Sequence, residues 1–382
     1  MKKSLYIILC TLFLLIIVVQ PSSVLYKQRE TFFAKGYMSY YDSLKKLYEQ
    51  SQYVKKKNPG IIPDQALESF AALAFLEGIN PILIIHDQPP MGRYILSASI
   101  LLFDNVNTVM VLLFSLSALG VFLVARLVLN NTLLSLIPFG IFVNEPLFLN
   151  KFYNTPLLEP IQLPFIIFAL YFFIQGIIKK NYVEWFILTS LMLGFVISIR
   201  FFILGVFLVL TMFVYFLIRR KMDKRFVTFV LSLPISVFVL LVSYARTIQL
   251  GSSVLNIFGI QKYIFHYHRA QLSMPFSFWD LLLFNKWHTW WGTRAIASDP
   301  QWIIIWPISA VLTAVSCVLA VLKKISISEP EKIIIIWIVL YSLFLSLGES
   351  STRYFPPLLP FIYIIATSFL VKLWKTQNKK VK

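Results

Sequence analysis

Two carboxylates stand where an acid is costly unless it has a partner or a role. Asp64 opens a short helical stretch that also contains Glu68, and Glu159 lies at the start of a long apolar run. An ionisable group at the mouth of a membrane span is a candidate functional residue. Both positions also have structural explanations, because Asp favours helix N-caps and an acid is stabilised at a helix N-terminus. Carboxylates at such positions are candidates for proton transfer or ligand binding, and the two residues are therefore kept as candidates.

Cationic side chains recur near the same apolar boundaries, and this set comprises Arg93, Arg200, His268, Arg269 and Arg353. Guanidinium groups suit phosphate, and the histidine-containing stretch suits an anionic lipid headgroup. Arg200 could instead mark a membrane interface by snorkelling. The Trp-rich stretch at 287–291 predicts an interfacial aromatic belt. The histidine spacing matches no standard zinc pattern, so a metal site stays unknown.

The composition requires these groups to be positioned by membrane helices. The chain of 382 residues is 58% hydrophobic and only 14% charged, with a mean hydropathy of +0.76. A soluble domain carries about 25% charged residues. The formal charge of +18 does not indicate nucleic acid, because the basic residues flank apolar runs. With only Cys10 and Cys317, a disulfide framework is excluded.

The sequence predicts an all-α polytopic membrane protein with about ten transmembrane helices. Residues 1–25 form the first, which we interpret as an uncleaved anchor in preference to a signal peptide. Six helices follow within 106–249 and three within 302–374. The predicted spans are 106–128, 133–149, 160–178, 183–199, 201–218, 226–248, 302–322, 333–347 and 355–373.

Two long connections, 26–105 and 250–301, are predicted to lie outside the cytoplasm. In the first, we expect one helix over 26–53, a second over 64–78 with Asp64 as its N-cap, and an interfacial helix over 94–103. The alternate connections and the tail 375–382 are short and basic, which places both termini in the cytoplasm. The expected compartment is the plasma membrane of a prokaryote, with the active site on its outer side.

In their order, these segments resemble the GT-C superfamily of lipid-carrier-dependent glycosyltransferases, especially protein O-mannosyltransferases and the aminoarabinose transferase that modifies lipid A. The matching motifs are Asp64, Ala71-Ala72, Gly78, Pro81, Pro89-Pro90-Met91-Gly92, Leu158-Glu159-Pro160, the stretches from Gly194 to Arg200 and from His268 to Trp279, and the stretch from Arg353 to Pro360. The sequence also departs from the pattern. Glu159 replaces the usual Asp, Gln65 replaces the Glu of an Asp-Glu pair, and residues 26–63 have no counterpart.

The resemblance implies transfer of a hexosyl or pentosyl group from a polyprenyl phosphate to an acceptor hydroxyl, with inversion. It implies Asp64 and Glu159 as catalytic residues, with Asp64 as the base for the acceptor hydroxyl and Glu159 orienting the acceptor or a metal. The five cationic residues above are implied as ligands of the donor phosphate. The implied substrate-binding residues are Glu68, His86, Asp87, Pro89 and Pro90. No cofactor is required, although a divalent cation remains an option. The acceptor could be a protein, a lipid or a glycan of the cell envelope.

Two other functions remain open from the sequence. A multi-pass transporter or flippase of lipid-linked sugars would perform no chemistry, and such proteins usually show internal repeats and midplane binding sites. Here the sequence shows no repeat, and the polar candidates lie at the ends of spans. A lipid-binding partner of another enzyme is the third option.

Overall fold

The computed structural model describes residues 3–153, 156–220, 222–269, 274–289, 295–348 and 351–380, without the side chains of residues 3, 268, 269, 379 and 380. In this part of the chain, helices account for nearly all regular structure. The first helices are α1 Lys3–Lys27, α2 Arg29–Phe33, α3 Tyr41–Glu49, α4 Asp64–Leu76, α5 Pro81–Ile84 and α6 Met91–Phe103.

The predicted single helix over 26–53 is wrong. Gly36 adopts φ 87°, and the Asp104 carboxylate accepts hydrogen bonds from the backbone N–H groups of Gly36 and Tyr37, at 2.6 and 3.1 Å. The Asn105 side chain also donates to the Ala34 carbonyl. Asp104 and Asn105 therefore bind backbone groups that a continuous helix would use for its own hydrogen bonds, so the helix breaks near Gly36. Asp64 is likewise the first helical residue of α4, since Pro63 occupies the N-cap position.

The next helices form most of the bundle. They are α7 Thr108–Leu129, α8 Thr132–Asn144, α9 Pro146–Tyr153, α10 Leu158–Ile178, α11 Tyr182–Ile199, α12 Ile203–Arg219, α13 Lys224–Ser232, α14 Pro234–Ser243 and α15 Ala245–Gln249. The predicted break at Arg200 is confirmed, since this residue is extended between α11 and α12. The most buried long helix is α10, whereas α1 lies along the outside of the bundle.

The remaining elements are α16 Val254–Arg269, α17 Ser277–Phe284, β1 Trp287–His288, β2 Ile296–Ala297, α18 Ile305–Val321, α19 Glu329–Leu345 and α20 Leu359–Lys380. The two short strands pair in antiparallel register, Trp287 with Ala297 and His288 with Ile296. Within the described residues, six helical segments are long and apolar enough to cross a membrane, and the α8–α9 pair adds a seventh if it forms one bent span. The count of ten stays a prediction.

The joint between α8 and α9 is built on a buried acid. The two helices meet at an angle of 54°. Glu145, which lies between them, is 1% exposed. Its carboxylate accepts hydrogen bonds from Trp306 Nε1 and Tyr363 Oη, both at 2.6 Å. Three separate parts of the bundle therefore meet at one side chain, and this contact fixes the direction in which α9 leaves the joint.

The segment 26–105, which carries α4, is tied to the bundle near α15. Arg246 donates from Nε and Nη2 to the Gly78 carbonyl, at 3.1 and 2.9 Å. Thr247 Oγ1 donates to Asn80 Oδ1 at 2.9 Å. Gly78 has φ +77°, and a Cβ at this position would lie 3.0 Å from Arg246 Nη2. Glycine therefore permits both the turn after α4 and the approach of the guanidinium.

Candidate active site

Asp64 and Glu159, which are 95 positions apart, meet at the guanidinium of Arg353. Asp64 Oδ2 lies 3.3 Å from Arg353 Nη2. Glu159 Oε1 accepts from Arg353 Nε at 2.5 Å and also contacts Nη2. The two carboxylates differ sharply in environment, because the Asp64 side chain is 53% exposed and that of Glu159 only 5%. One carboxylate is therefore open to solvent, while the other is enclosed.

The guanidinium of Arg200 joins Asp64, Glu159 and Arg353 in one ion cluster. Arg200 Nη2 lies 3.1 Å from the same Glu159 oxygen that binds Arg353. Both guanidinium groups also lie near the ring of Tyr354, Arg200 at 5.3 Å and Arg353 at 6.0 Å from its centroid. The Glu159 carboxylate, with a smaller contribution from Asp64, raises the pKa of Arg353 further above its ordinary range. Arg353 is thus a permanent cation.

Local structure explains these positions. Glu159 lies in the first turn of α10, where a carboxylate is favoured by the helix dipole. Arg353 belongs to a short 3₁₀ turn, Thr352–Tyr354, which is held by the hydrogen bond from Thr352 Oγ1 to Asp299 Oδ2 at 2.6 Å. The predicted dipole and snorkelling explanations therefore do not fully account for Glu159 and Arg200, because both side chains point into one polar cluster.

Glu68 and Arg93 form a buried ion pair beside this cluster. Arg93 Nε and Nη2 donate to the two carboxylate oxygens of Glu68, at 2.7 and 3.2 Å. Arg93 is only 1% exposed and also donates to the Gln88 carbonyl at 3.3 Å. The guanidinium predicted as a phosphate ligand is thus already engaged in a two-point contact with an acid. Its evident effect is to hold α6 against α4.

The proline-rich stretch before α6 has a clear packing role. Pro89 and Pro90 are buried, and they lead directly into α6. A Cβ on Gly92 would lie 2.6 Å from Leu158 Cδ2 and 3.1 Å from Ile199 Cγ2, so α6 can approach the ends of α10 and α11 only with glycine here. This approach brings the Glu68–Arg93 pair beside Glu159.

The remaining candidates are distributed more widely. Asp87 lines the site, and His86 is exposed, with its Nε2 3.2 Å from Tyr263 Oη. Gln88, which the sequence interpretation did not single out, accepts at Oε1 from the backbone N–H of Phe201 at 2.7 Å and so fixes the backbone beside Arg200. The side chains of His268 and Arg269 lie outside the described part of the structure.

Two cavities meet at the Asp64–Arg353 pair. The smaller has a volume of about 70 Å³ and is lined chiefly by the charged groups described above, together with Tyr53. The larger has a volume of about 390 Å³, and its lining adds Lys151, Trp287 and Asp299. Because Asp64 and Arg353 line both, a molecule in either cavity would touch the same carboxylate and the same guanidinium.

Sequence analysis missed four of these lining residues, namely Tyr53, Lys151, Trp287 as a site residue, and Asp299. For Lys151 a signal exists, because it is a basic residue on a connection that the charge bias assigns to the outer side. The others have no distinctive spacing. Within the described ranges, no group of three or more His, Cys, Asp or Glu side chains is arranged to hold a metal ion.

Chemically, this arrangement provides an exposed carboxylate and fixed cations within one polar site. A carboxylate accessible from a cavity can accept a proton from a hydroxyl group. Fixed guanidinium groups can stabilise negative charge that develops on a neighbouring oxygen. The pattern therefore fits transfer of a group between two oxygen atoms.

Comparison of the sequence with protein-family models gives a match over part of the chain. The family model for dolichyl-phosphate-mannose-protein mannosyltransferase matches residues 87–246, which is less than half of the chain. No curated protein matches the chain significantly.

Among solved structures, the chain is similar to ArnT from Cupriavidus metallidurans bound to undecaprenyl phosphate. The TM-score is 0.60 at 16% identity, covering 89% of this chain and 61% of ArnT. Apo ArnT gives a TM-score of 0.59 at 17% identity, covering 83% of this chain and 57% of ArnT. The archaeal oligosaccharyltransferase AglB from Archaeoglobus fulgidus, in complex with an inhibitory peptide and a dolichol-phosphate, gives 0.51 at 12% identity, covering 77% of this chain and 44% of AglB.

The chain thus spans about three fifths of the length of ArnT. These matches confirm the predicted resemblance to the GT-C superfamily and the polytopic helical fold that it implies. With its apolar helices, the chain is an integral multi-pass membrane protein.

Proposed function

We propose that this protein is a membrane glycosyltransferase that moves a sugar from a polyprenyl-phosphate carrier to an acceptor hydroxyl. The observation that carries the proposal is the shared contact at Arg353. An exposed carboxylate, Asp64, and an enclosed carboxylate, Glu159, bind the same guanidinium where two cavities meet. The donor class follows from the likeness in fold to ArnT, whose structure holds undecaprenyl phosphate, and to AglB, whose structure holds a dolichol-phosphate.

Asp64 acts as the general base in this proposal. Its carboxylate takes the proton of the acceptor hydroxyl as the acceptor oxygen attacks the anomeric carbon. The bond between that carbon and the phosphate oxygen breaks, and the phosphate leaves with the electron pair. Attack from the face opposite the leaving group inverts the anomeric configuration. A positioned base of this kind contributes about 10²–10⁴-fold to the rate.

Arg200 and Arg353 stabilise the departing phosphate. Glu159 holds both guanidinium groups in place, at 3.1 and 2.5 Å. Electrostatic stabilisation is strongest when the charges are fixed before the reaction begins. Glu159 is thus a positioning residue for the two arginines, and this role replaces direct orientation of the acceptor. A divalent cation remains an option that binding measurements can address.

We place the reaction on the extracytoplasmic side of the membrane. The basic residues of the alternate short connections assign the opposite side to the cytoplasm. A lipid carrier can present its sugar at the outer leaflet, where sugar nucleotides are not made. The acceptor is a hydroxyl of a protein, a lipid or a glycan.

Purified protein in detergent, mixed with a radiolabelled polyprenyl-phosphate sugar and extracts of cell-envelope acceptors, tests the proposal. We expect transfer or slow hydrolysis by the wild type and none by Asp64→Asn. The exposed Asp42→Asn variant on α3 provides a control of equal charge change. Movement of the lipid-linked sugar across vesicles without turnover would instead support a transporter. Absence of both activities would leave a lipid-binding partner of another enzyme.

A further inference from the structure

The two cavities differ in the balance of positive and negative charge on their walls. The smaller cavity is lined by three arginines and four carboxylates, so its lining carries no surplus of positive charge. Its arginines are engaged, because Arg93 binds Glu68 while Arg200 and Arg353 bind Glu159. A substrate anion that entered there would have to compete with these acids.

Lys151 is different. It lies on α9, lines the larger cavity and is half-buried. Within the described part of the chain, its side chain makes no hydrogen bond and has no acid within ion-pair distance. Asp299, an acid of the same lining, accepts instead from Thr352 Oγ1 and from the backbone N–H of Gln301. A partly buried ammonium without an anion is unfavourable, because burial removes water that nothing replaces.

We infer that Lys151 is the binding residue for a substrate oxyanion in the larger cavity, an inference that rests on the proposed function. The cavity of about 390 Å³ has room for a sugar with a charged substituent, whereas the neighbouring cavity of about 70 Å³ does not. Arg353, at the junction, lies on the wall of the same cavity. An oxyanion held by Lys151 would therefore lie on the side of Asp64 where a sugar fits.

The position of Lys151 is set by the helix that carries it. The α8–α9 joint at Glu145 directs α9, so Lys151 faces the cavity from a rigid element of the bundle. Sites on rigid helices lose less conformational entropy on binding than sites on loops. The chemistry of the ligand is a phosphate or a carboxylate. Its source is either the phosphate of the lipid carrier or an acidic group of the acceptor.

The test compares the affinity of the purified protein for undecaprenyl phosphate with its affinity for undecaprenol, the uncharged alcohol. The variants are Lys151→Gln and Lys151→Arg, with Lys262→Gln as the control at an exposed site on α16. A charge-assisted hydrogen bond to phosphate predicts that Lys151→Gln lowers the preference for the phosphate by about tenfold or more. Lys151→Arg should retain most of the preference, and Lys262→Gln all of it.

A second measurement, the KM for the acceptor, identifies which substrate carries the anion. If Lys151→Gln keeps the lipid preference but raises the KM for the acceptor at an unchanged kcat, the anion belongs to the acceptor and the inference stands. Without ligand, Lys151→Gln should melt at the same temperature as the wild type or higher, since no described contact is lost. A much lower melting temperature would show that Lys151 has a structural role and would overturn the inference. An unchanged lipid preference together with an unchanged acceptor KM would also overturn it. A wild type with no preference for the phosphate and no transfer would overturn the proposed function as well.

Discussion

Replacing each of the two carboxylates at Arg353 by its amide should lower activity in both cases but change stability by very different amounts. The Asp64 side chain is half exposed and lies 3.3 Å from a single guanidinium. Exposed ion pairs contribute about 0–1 kcal/mol to stability. Asp64→Asn should therefore leave the melting temperature almost unchanged. If Asp64 is the base, the same variant should lose about 10²–10⁴-fold in transfer rate.

Glu159→Gln should instead destabilise the protein strongly. The Glu159 side chain is only 5% exposed, and one of its oxygens lies within 3.1 Å of both Arg200 and Arg353. Removing one partner of a buried ion pair typically costs about 3–5 kcal/mol, because the remaining charge stays buried without compensation. In Glu159→Gln, two guanidinium groups would face each other across a neutral amide. Activity should fall as well, through their displacement.

The assay pairs thermal denaturation in detergent with sugar transfer, for the wild type, both single variants and the double variant. Because Asp64 and Glu159 share Arg353, their effects on stability should not be additive. The electrostatic argument would be refuted if Asp64→Asn lowered the melting temperature more than Glu159→Gln. The assignment of the base would be refuted if Asp64→Asn retained near-normal transfer.

Three further substitutions test the packing that positions the site. Gly92→Ala would place a methyl group 2.6 Å from Leu158 Cδ2, and we expect a loss of about 1–3 kcal/mol in stability, measured by thermal denaturation. Arg93→Met leaves the Glu68 carboxylate buried without a partner and should lower the stability of the protein by about 3–5 kcal/mol. Adding Glu68→Leu should recover most of that stability. No recovery in the double variant would contradict a simple ion pair. Glu145→Gln keeps only one acceptor oxygen for two donors, which should cost about 1–3 kcal/mol and lower transfer by shifting α9. Unchanged melting and activity in this variant would show that the joint does not depend on the acid.

The sequence predicted several of the membrane helices well because long apolar runs have a simple physical cause. Lipid requires continuous helices of apolar side chains, and α7, α10 and α11 begin and end within two residues of the predicted spans 106–128, 160–178 and 183–199. Asp64 and Glu159 were recognisable as candidates because charge near a membrane is rare. Their shared partner, Arg353, could be proposed only as one of several cations.

What could not be predicted depends on side chains that meet from distant parts of the chain. The break near Gly36 is determined by Asp104, which no local pattern over 26–53 contains. Arg93 had the expected residue type for a phosphate ligand, and only the structure shows that it binds Glu68. The larger cavity combines residues of α4, α9 and β1 with residues of the connections between helices, and spacing along the chain carries little information about which of these face each other.

The anchoring of the segment 26–105 at Gly78 bears on how the protein would lose activity when heated. Asp64 belongs to that segment, whereas Glu159 belongs to the bundle, and the contacts of Gly78 and Asn80 with Arg246 and Thr247 join the two. If these polar contacts and the packing of α6 at Gly92 opened first, the base would separate from the phosphate-binding arginines while every helix stayed intact. Catalysis would then stop at a lower temperature than the one at which circular dichroism reports melting, and cooling would restore it.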